Sequence, residues 1–165
     1  PVSVATFVDL EKNEPETMLR QAVGRLILNQ HEVATMPHFS RVAVEQIGYR
    51  GEVGRTMVHP LYARRLLESK IVVVAQKDKH EDHYRLFEAL AGGALVMTDP
   101  MYPLPVGFKH SVNIVVYQSL ADLSNLLEYY LTHEVERLAI ARAGYELAMN
   151  RHRSWHIMER LILNG

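Results

Sequence analysis

Cysteine is absent from the 165-residue chain, so neither a disulfide framework nor a thiolate metal site can form. That suits a reducing, cytoplasmic setting without specifying one. An excess of either charge is absent too. Eighteen Lys and Arg stand against nineteen Asp and Glu, a net charge of -1, which gives no general attraction to nucleic acid or anionic lipid. No apolar run approaches the ~18 residues that a membrane-spanning helix needs. Neither the dinucleotide fingerprint GxGxxG nor the phosphate loop GxxxxGK[ST] occurs, so the familiar glycine-rich nucleotide loops are excluded. HExxH is missing as well. With no repeat, low-complexity tract or linker-like run, residues 1–165 read as a single domain, long enough to bury a core. The chain opens at Pro1 rather than Met, with no signal-like segment, and that start reads as processed or excised from something longer.

What the chain does have is strands alternating with helices. "VSVATFV" (Val2–Val8) reads as a first strand, followed by a helix over "NEPETMLRQAVGRLIL". Pro15 suits the first turn of that helix, and Glu14 and Glu16 suit its positive end. Its apolar residues are Met18, Ala22, Ile27 and Leu28. Arg41–Ile47 reads as a second strand, Gly48–Gly54 as a loop, and a further helix starts near Pro60. Three short apolar runs follow: Ile71–Ala75, Ala94–Thr98 and Asn113–Tyr117. They do not alternate with polar residues, which is the pattern of parallel strands covered on both faces. A helix from about Asp82 to Ala91 separates the first two, with Gly92 and Gly93 as its stop. Leu120, Leu123, Leu127 and Leu131 fall at helical spacing, and Glu134–Leu163 is helical with a break near Arg151–Ser154. At that break Ser154 would act as an N-cap and Trp155 would pack on the sheet. The fold expected is a Rossmann-like α/β three-layer sandwich, its sheet mostly parallel and its end closed by C-terminal helices.

In such sheets ligands bind at the carboxyl ends of the strands. Three loops qualify: "VDLEKNE" after the first strand, "QKDKHED" (Gln76–Asp82) and "DPMYPLPVGF" (Asp99–Phe108). The second leads into a helix N-terminus, where unpaired N–H groups and the helix dipole favour an anion such as a phosphate. His83 and Tyr84 lie in its first turn, and Arg85 adds a guanidinium able to grip phosphate with two bonds. Glu88 lies roughly 9 Å along the axis from Asp82. That is about the offset between a pyrophosphate and its ribose, so Glu88 either accepts from ribose hydroxyls or points into solvent. Among the loop cations, Lys77 and Lys79 lie nearer this helix than Lys12 or Arg50. "HEDH" (His80–His83) has metal-ligand residue types but no convergent partners at recognisable spacing, so no metal site is expected. "RHRSWH" reads as a helix junction rather than a nucleic-acid patch in a chain without basic excess. A flavodoxin-like or response-regulator-like domain would need a hydroxyl-rich loop or an acidic cluster after the first strand, where only Asp9 and Glu11 stand.

"YRLFEALAGGALVMTDP" (Tyr84–Pro100) resembles the donor-site segment of GT-B glycosyltransferases, in which a helix carrying "(R)xxEALAxGxxVV" precedes a strand. The resemblance is to group-1 transferases of the spore-maturation-like branch, with exostosin-like features, and runs from about Lys70 to Ile162. It implies a donor-binding, C-terminal domain that takes a nucleoside-diphosphate sugar as substrate, without a metal or other cofactor. By the same resemblance Glu88 holds the donor ribose, backbone N–H groups of His83 and Tyr84 face the diphosphate, and Arg85 lies near the phosphates. The sequence departs from the family where a first glutamate stands eight positions earlier. Here that position is His80, with Glu81 one residue out of step, and "HEDH" replaces a glycine-rich turn. Glu81 and Lys77 complete the expected donor-binding set. The resemblance also implies a partner, an N-terminal acceptor domain that this length cannot contain. The alternative is a non-catalytic Rossmann-like interaction module.

Overall fold

The apolar runs expected as inner strands lie side by side in the computed structural model, which describes residues 4–7, 18–28, 44–46, 60–76 and 84–163. Strand β3 (Ile71–Val74) pairs in parallel with β4 (Leu95–Thr98), in the register Ile71 to Leu95 and Val74 to Thr98. On the other side of β3 lies β1 (Val4–Thr6), which also pairs in parallel with β2 (Val44–Gln46). A short β5 (Val115–Val116) adds to β4. The result is a five-stranded parallel sheet in the order β2-β1-β3-β4-β5. The described helices are α1 (Met18–Leu28), α2 (Pro60–Glu68), α3 (Tyr84–Ala91), α4 (Leu120–Thr132), α5 (Glu134–Arg151) and α6 (Ser154–Leu163).

Parallel pairing requires crossovers, and the crossovers put helices on both faces. Successive strand residues therefore enter two different cores. Val72, Val74 and Val96 meet Tyr62 and Leu66 of α2 and Leu86, Ala89 and Leu90 of α3. Ile71, Val73, Leu95 and Met97 meet Val23 and Ile27 of α1 and Leu123 and Leu127 of α4. Each fully buried aliphatic side chain is worth about 1.5–3 kcal/mol, which is why strands of only four residues suffice. Helix α5 joins the two cores, giving Ile140 and Ala141 to one and Ala148 to the other. Its close approach falls at Gly144, where a Cβ would lie 2.4 Å from the Asn113 carbonyl oxygen.

Local signals explain the helix ends. Ser119 caps α4 by accepting from the Asp122 N–H at 3.1 Å, and the Asp122 carboxylate accepts from the Gln118 N–H at 2.8 Å. The first bond satisfies a donor that the first turn would leave open, and the second ties down the residue before the cap. Helix α3 stops where expected: Gly93 has φ +79°, a left-handed conformation that glycine adopts without a steric penalty.

Two side-chain expectations are corrected. Met18 does not join the buried side of α1; it is 68% exposed, and Val23 and Ile27 form that side. The break after Arg151 is present, but Trp155 does not pack on the sheet and Ser154 is the first residue of α6 rather than its cap. Trp155 is 58% exposed with the Arg153 guanidinium 4.9 Å from its ring, because α6 buries none of its side chains. The residue that packs at this junction is His152. Its ring stacks on Phe87 at 5.3 Å and meets Phe108 at 5.2 Å, and its Nε2 donates to the Val106 carbonyl at 2.9 Å.

Candidate functional site

The strand order reverses between β1 and β3. In open α/β sheets such a switch point leaves a crevice at the carboxyl ends of the strands, since the two flanking connections leave in opposite directions. Phe7 follows β1 there, and Ala75 and Gln76 follow β3. Helix α3 leaves this edge and helix α2 begins at it, because α2 feeds the amino end of β3. Both helices therefore bring their first turns to the crevice.

Five side chains from the end of β1, from α2 and from α3 meet at this point. The Arg85 guanidinium lies 5.4 Å from the Phe7 ring centroid and 5.9 Å from that of Tyr84. Phe7 in turn packs against Tyr62 of α2, with ring centroids 6.0 Å apart and planes tilted by 48°. The Tyr62 hydroxyl donates to Glu88 Oε2. Burial, followed by the bond to Glu88 and its charge, pushes the Tyr62 phenol well above its ordinary range. Tyr62 therefore remains the donor and Glu88 the acceptor. Arg85 and Glu88 are thus held by aromatic groups rather than left to swing, and Tyr84 stands 47% exposed at the helix start. Nothing in the sequence pattern singles out Tyr62. The usable signal was topological: a helix leading into a parallel strand must begin at the ligand edge.

A second group fixes the edge itself. The Gln76 N–H donates to Asp99 Oδ1 at 2.7 Å, and the Gln76 side-chain amide donates to the Thr98 hydroxyl at 3.4 Å. Arg20 Nε donates to the Ala75 carbonyl at 2.8 Å, and the Tyr117 hydroxyl donates to the Val74 carbonyl at 3.2 Å. Burial pushes the Asp99 carboxyl above its ordinary value, against the pull of its hydrogen bonds and of Arg20. The sign follows from linkage. As pH rises from about 4 the unfolded chain ionises this group first, so its contribution to stability falls until the folded group ionises too. Asp99→Asn should keep the oxygen acceptor and remove that loss. Its melting temperature should exceed that of the wild type at pH 7, with the difference closing toward pH 4. Melting curves across that range are the check, and a constant difference would contradict it. Beside this edge a cleft of about 440 Å³ is lined by Met101, Leu104, His110, Gln118 and Asp122, among others.

Of the expected donor-binding set, Glu88, Arg85 and Tyr84 share one end of α3. Lys77, Glu81 and His83 lie outside the described residues, as does the whole of "HEDH". Among the described residues no group of three or more His, Asp or Glu is placed to hold a metal ion. No described helix is long and apolar enough to cross a membrane.

The family profile of glycosyl transferase-like proteins matches residues 16–162. The chain belongs to the glycosyl transferase-like family. Its fold is similar to that of HepE from Anabaena solved with UDP, with a TM-score of 0.67 at 14% identity over 98% of this chain and 48% of that one. The same protein solved with UDP-glucose gives 0.64 at 13% identity, again over 98% and 48%. The C-terminal domain of LpcC, a group 1 glycosyl transferase from Francisella tularensis, gives 0.57 at 15% identity over 93% of this chain and 87% of that domain. No curated protein matches the chain. The chain thus spans about half the length of HepE and has the Rossmann-like α/β fold of a GT-B domain.

Proposed function

We propose that this family member is the donor-binding, C-terminal half of a GT-B glycosyltransferase, with residues 1–165 as one domain. It would take a nucleoside-diphosphate sugar at the switch-point crevice. The observation that carries this reading is the Arg85–Glu88 pair, fixed by Phe7 and Tyr62 at the first turns of α3. The UDP and UDP-glucose in the HepE structures support it. In this reading Glu88 accepts from the ribose hydroxyls, and Arg85 and the N–H groups at the start of α3 face the diphosphate. When the bond from the anomeric carbon to the diphosphate breaks, the electron pair leaves with the phosphate oxygen. Preorganised cationic and N–H groups stabilise that charge without a metal. Tyr84 belongs to the same set, as do Lys77, Glu81 and His83. The acceptor nucleophile forms the new bond to the anomeric carbon and gives its proton to a base, and both acceptor site and base would lie in an N-terminal domain, the partner that fills the other half of the crevice. The match to only 48% of HepE favours that partner.

"HEDH" in place of a glycine turn favours a second reading, a non-catalytic module that retains the fold. Calorimetric titration with UDP, GDP and the matching monophosphates separates the two. Donor binding predicts that a diphosphate binds at least ~10-fold more tightly than its monophosphate, about 1.4 kcal/mol. Absence of binding by every nucleoside diphosphate would leave the module reading.

A further inference from the structure

We infer that Tyr62 is a positioning residue that sets the ribose selectivity of the crevice; this rests on the reading of Glu88 as the ribose carboxylate. A glutamate in the second turn of a helix has three rotatable bonds, and an exposed one samples many orientations. Selectivity for a diol requires the carboxylate plane to be fixed before the ligand arrives, since orientation supplied in advance is not subtracted from the binding free energy. Tyr62 supplies that orientation. Its ring is buried among Phe7 and the α2–α3 core, and its hydroxyl donates to Glu88 Oε2 from a different helix. A tyrosine has only two side-chain torsions, and here both are restrained by packing. The donor is therefore a rigid strut. The same Phe7 ring that packs on Tyr62 lies under the Arg85 guanidinium. One aromatic group thus spaces the ribose carboxylate from the phosphate cation.

The arrangement assigns Tyr62 an effect on the ribose end of a ligand and none on its phosphate end. The test compares UDP with 2′,3′-dideoxyuridine diphosphate by calorimetry, using the wild type, Tyr62→Phe, Glu88→Ala and the double variant. Tyr62→Phe should weaken UDP about 5- to 10-fold, the ordinary net worth of one hydrogen bond, and leave the dideoxy ligand unchanged. The double variant should bind UDP no more weakly than Glu88→Ala alone. Leu66→Ala, a packing change on the same helix, should lower stability without altering the ratio of the two affinities. That ratio does not depend on the fraction of folded protein, because unfolded chains weaken both ligands alike. Equal weakening of both ligands by Tyr62→Phe, or weakening of neither, would overturn the assignment while leaving Glu88 in place. A ratio unaffected by Glu88→Ala would overturn the ribose reading, and the assignment of Tyr62 with it.

Discussion

Glu88→Ala is expected to weaken UDP or GDP binding by ~10- to 100-fold, and Arg85→Ala to do the same through the phosphates. Each removes a charged hydrogen-bonding partner worth about 1.5–3 kcal/mol, and a tenfold change corresponds to about 1.4 kcal/mol. The two losses differ in what they should be sensitive to. An arginine–phosphate contact is partly screened, so the Arg85 effect should shrink between low and high salt. A carboxylate accepting from neutral hydroxyls has little salt dependence, so the Glu88 effect should persist. Neither substitution removes a core side chain, since Leu86, Ala89 and Leu90 carry the buried side of α3, but Glu88→Ala takes the carboxylate acceptor from the buried Tyr62 hydroxyl. The melting temperature should therefore fall more for Glu88→Ala than for Arg85→Ala, because an unsatisfied buried hydroxyl costs about 1–3 kcal/mol, while affinity falls in both. If both variants bind the diphosphates as the wild type does, α3 is not the donor helix and the proposed function fails at its central point.

Gly144→Ala is expected to destabilise the domain strongly. An alanine Cβ would lie 2.4 Å from the Asn113 carbonyl oxygen and 3.0 Å from a Leu90 methyl. The nearest obstacle is backbone, which cannot rotate away as a side chain can. Relief requires α5 to withdraw from the loop before β5, which opens gaps in a core that tolerates few. Overpacking of this kind costs typically 1–3 kcal/mol and occasionally more, and removing glycine from a helix recovers at most ~1 kcal/mol of it. A backbone obstacle puts the cost at the upper end of that range, a net loss of about 2 kcal/mol, and at about 2–4 °C per kcal/mol for a domain of this size a fall of roughly 4–8 °C is expected by differential scanning calorimetry. A variant as stable as the wild type would mean that α5 does not sit this close.

Much of the layout was legible because it rests on short-range signals. Runs such as "IVVVA" and "ALVMT" lack alternation, and only a strand covered on both faces can use them. The stop at Gly92–Gly93 and the break after Arg151 were readable from residue types alone. Helix α3 and its Arg85–Glu88 pair were likewise visible in spacing and in family likeness. What could not be read was which side of a helix faces inward when both sides carry apolar groups. Met18 and Trp155 were misplaced for that reason, and His152, a titratable side chain, turned out to be the packed residue. Tyr62 was invisible for a different reason. Its partner Glu88 is distant in sequence and on another helix, and no local pattern encodes such a pairing.

The His152 ring, packed on Phe87, has a consequence for how this segment can be moved or trimmed. Phe87 is the immediate neighbour of Glu88, so the junction between α5 and α6 forms part of the seating of α3. The support of the stretch "YRLFEALAGG" therefore comes from residues far from it in sequence, Phe7, Tyr62, Phe108 and His152. A graft of that stretch into another parallel sheet would carry the letters without their support, and a truncation before His152 would remove the ring stacked on Phe87.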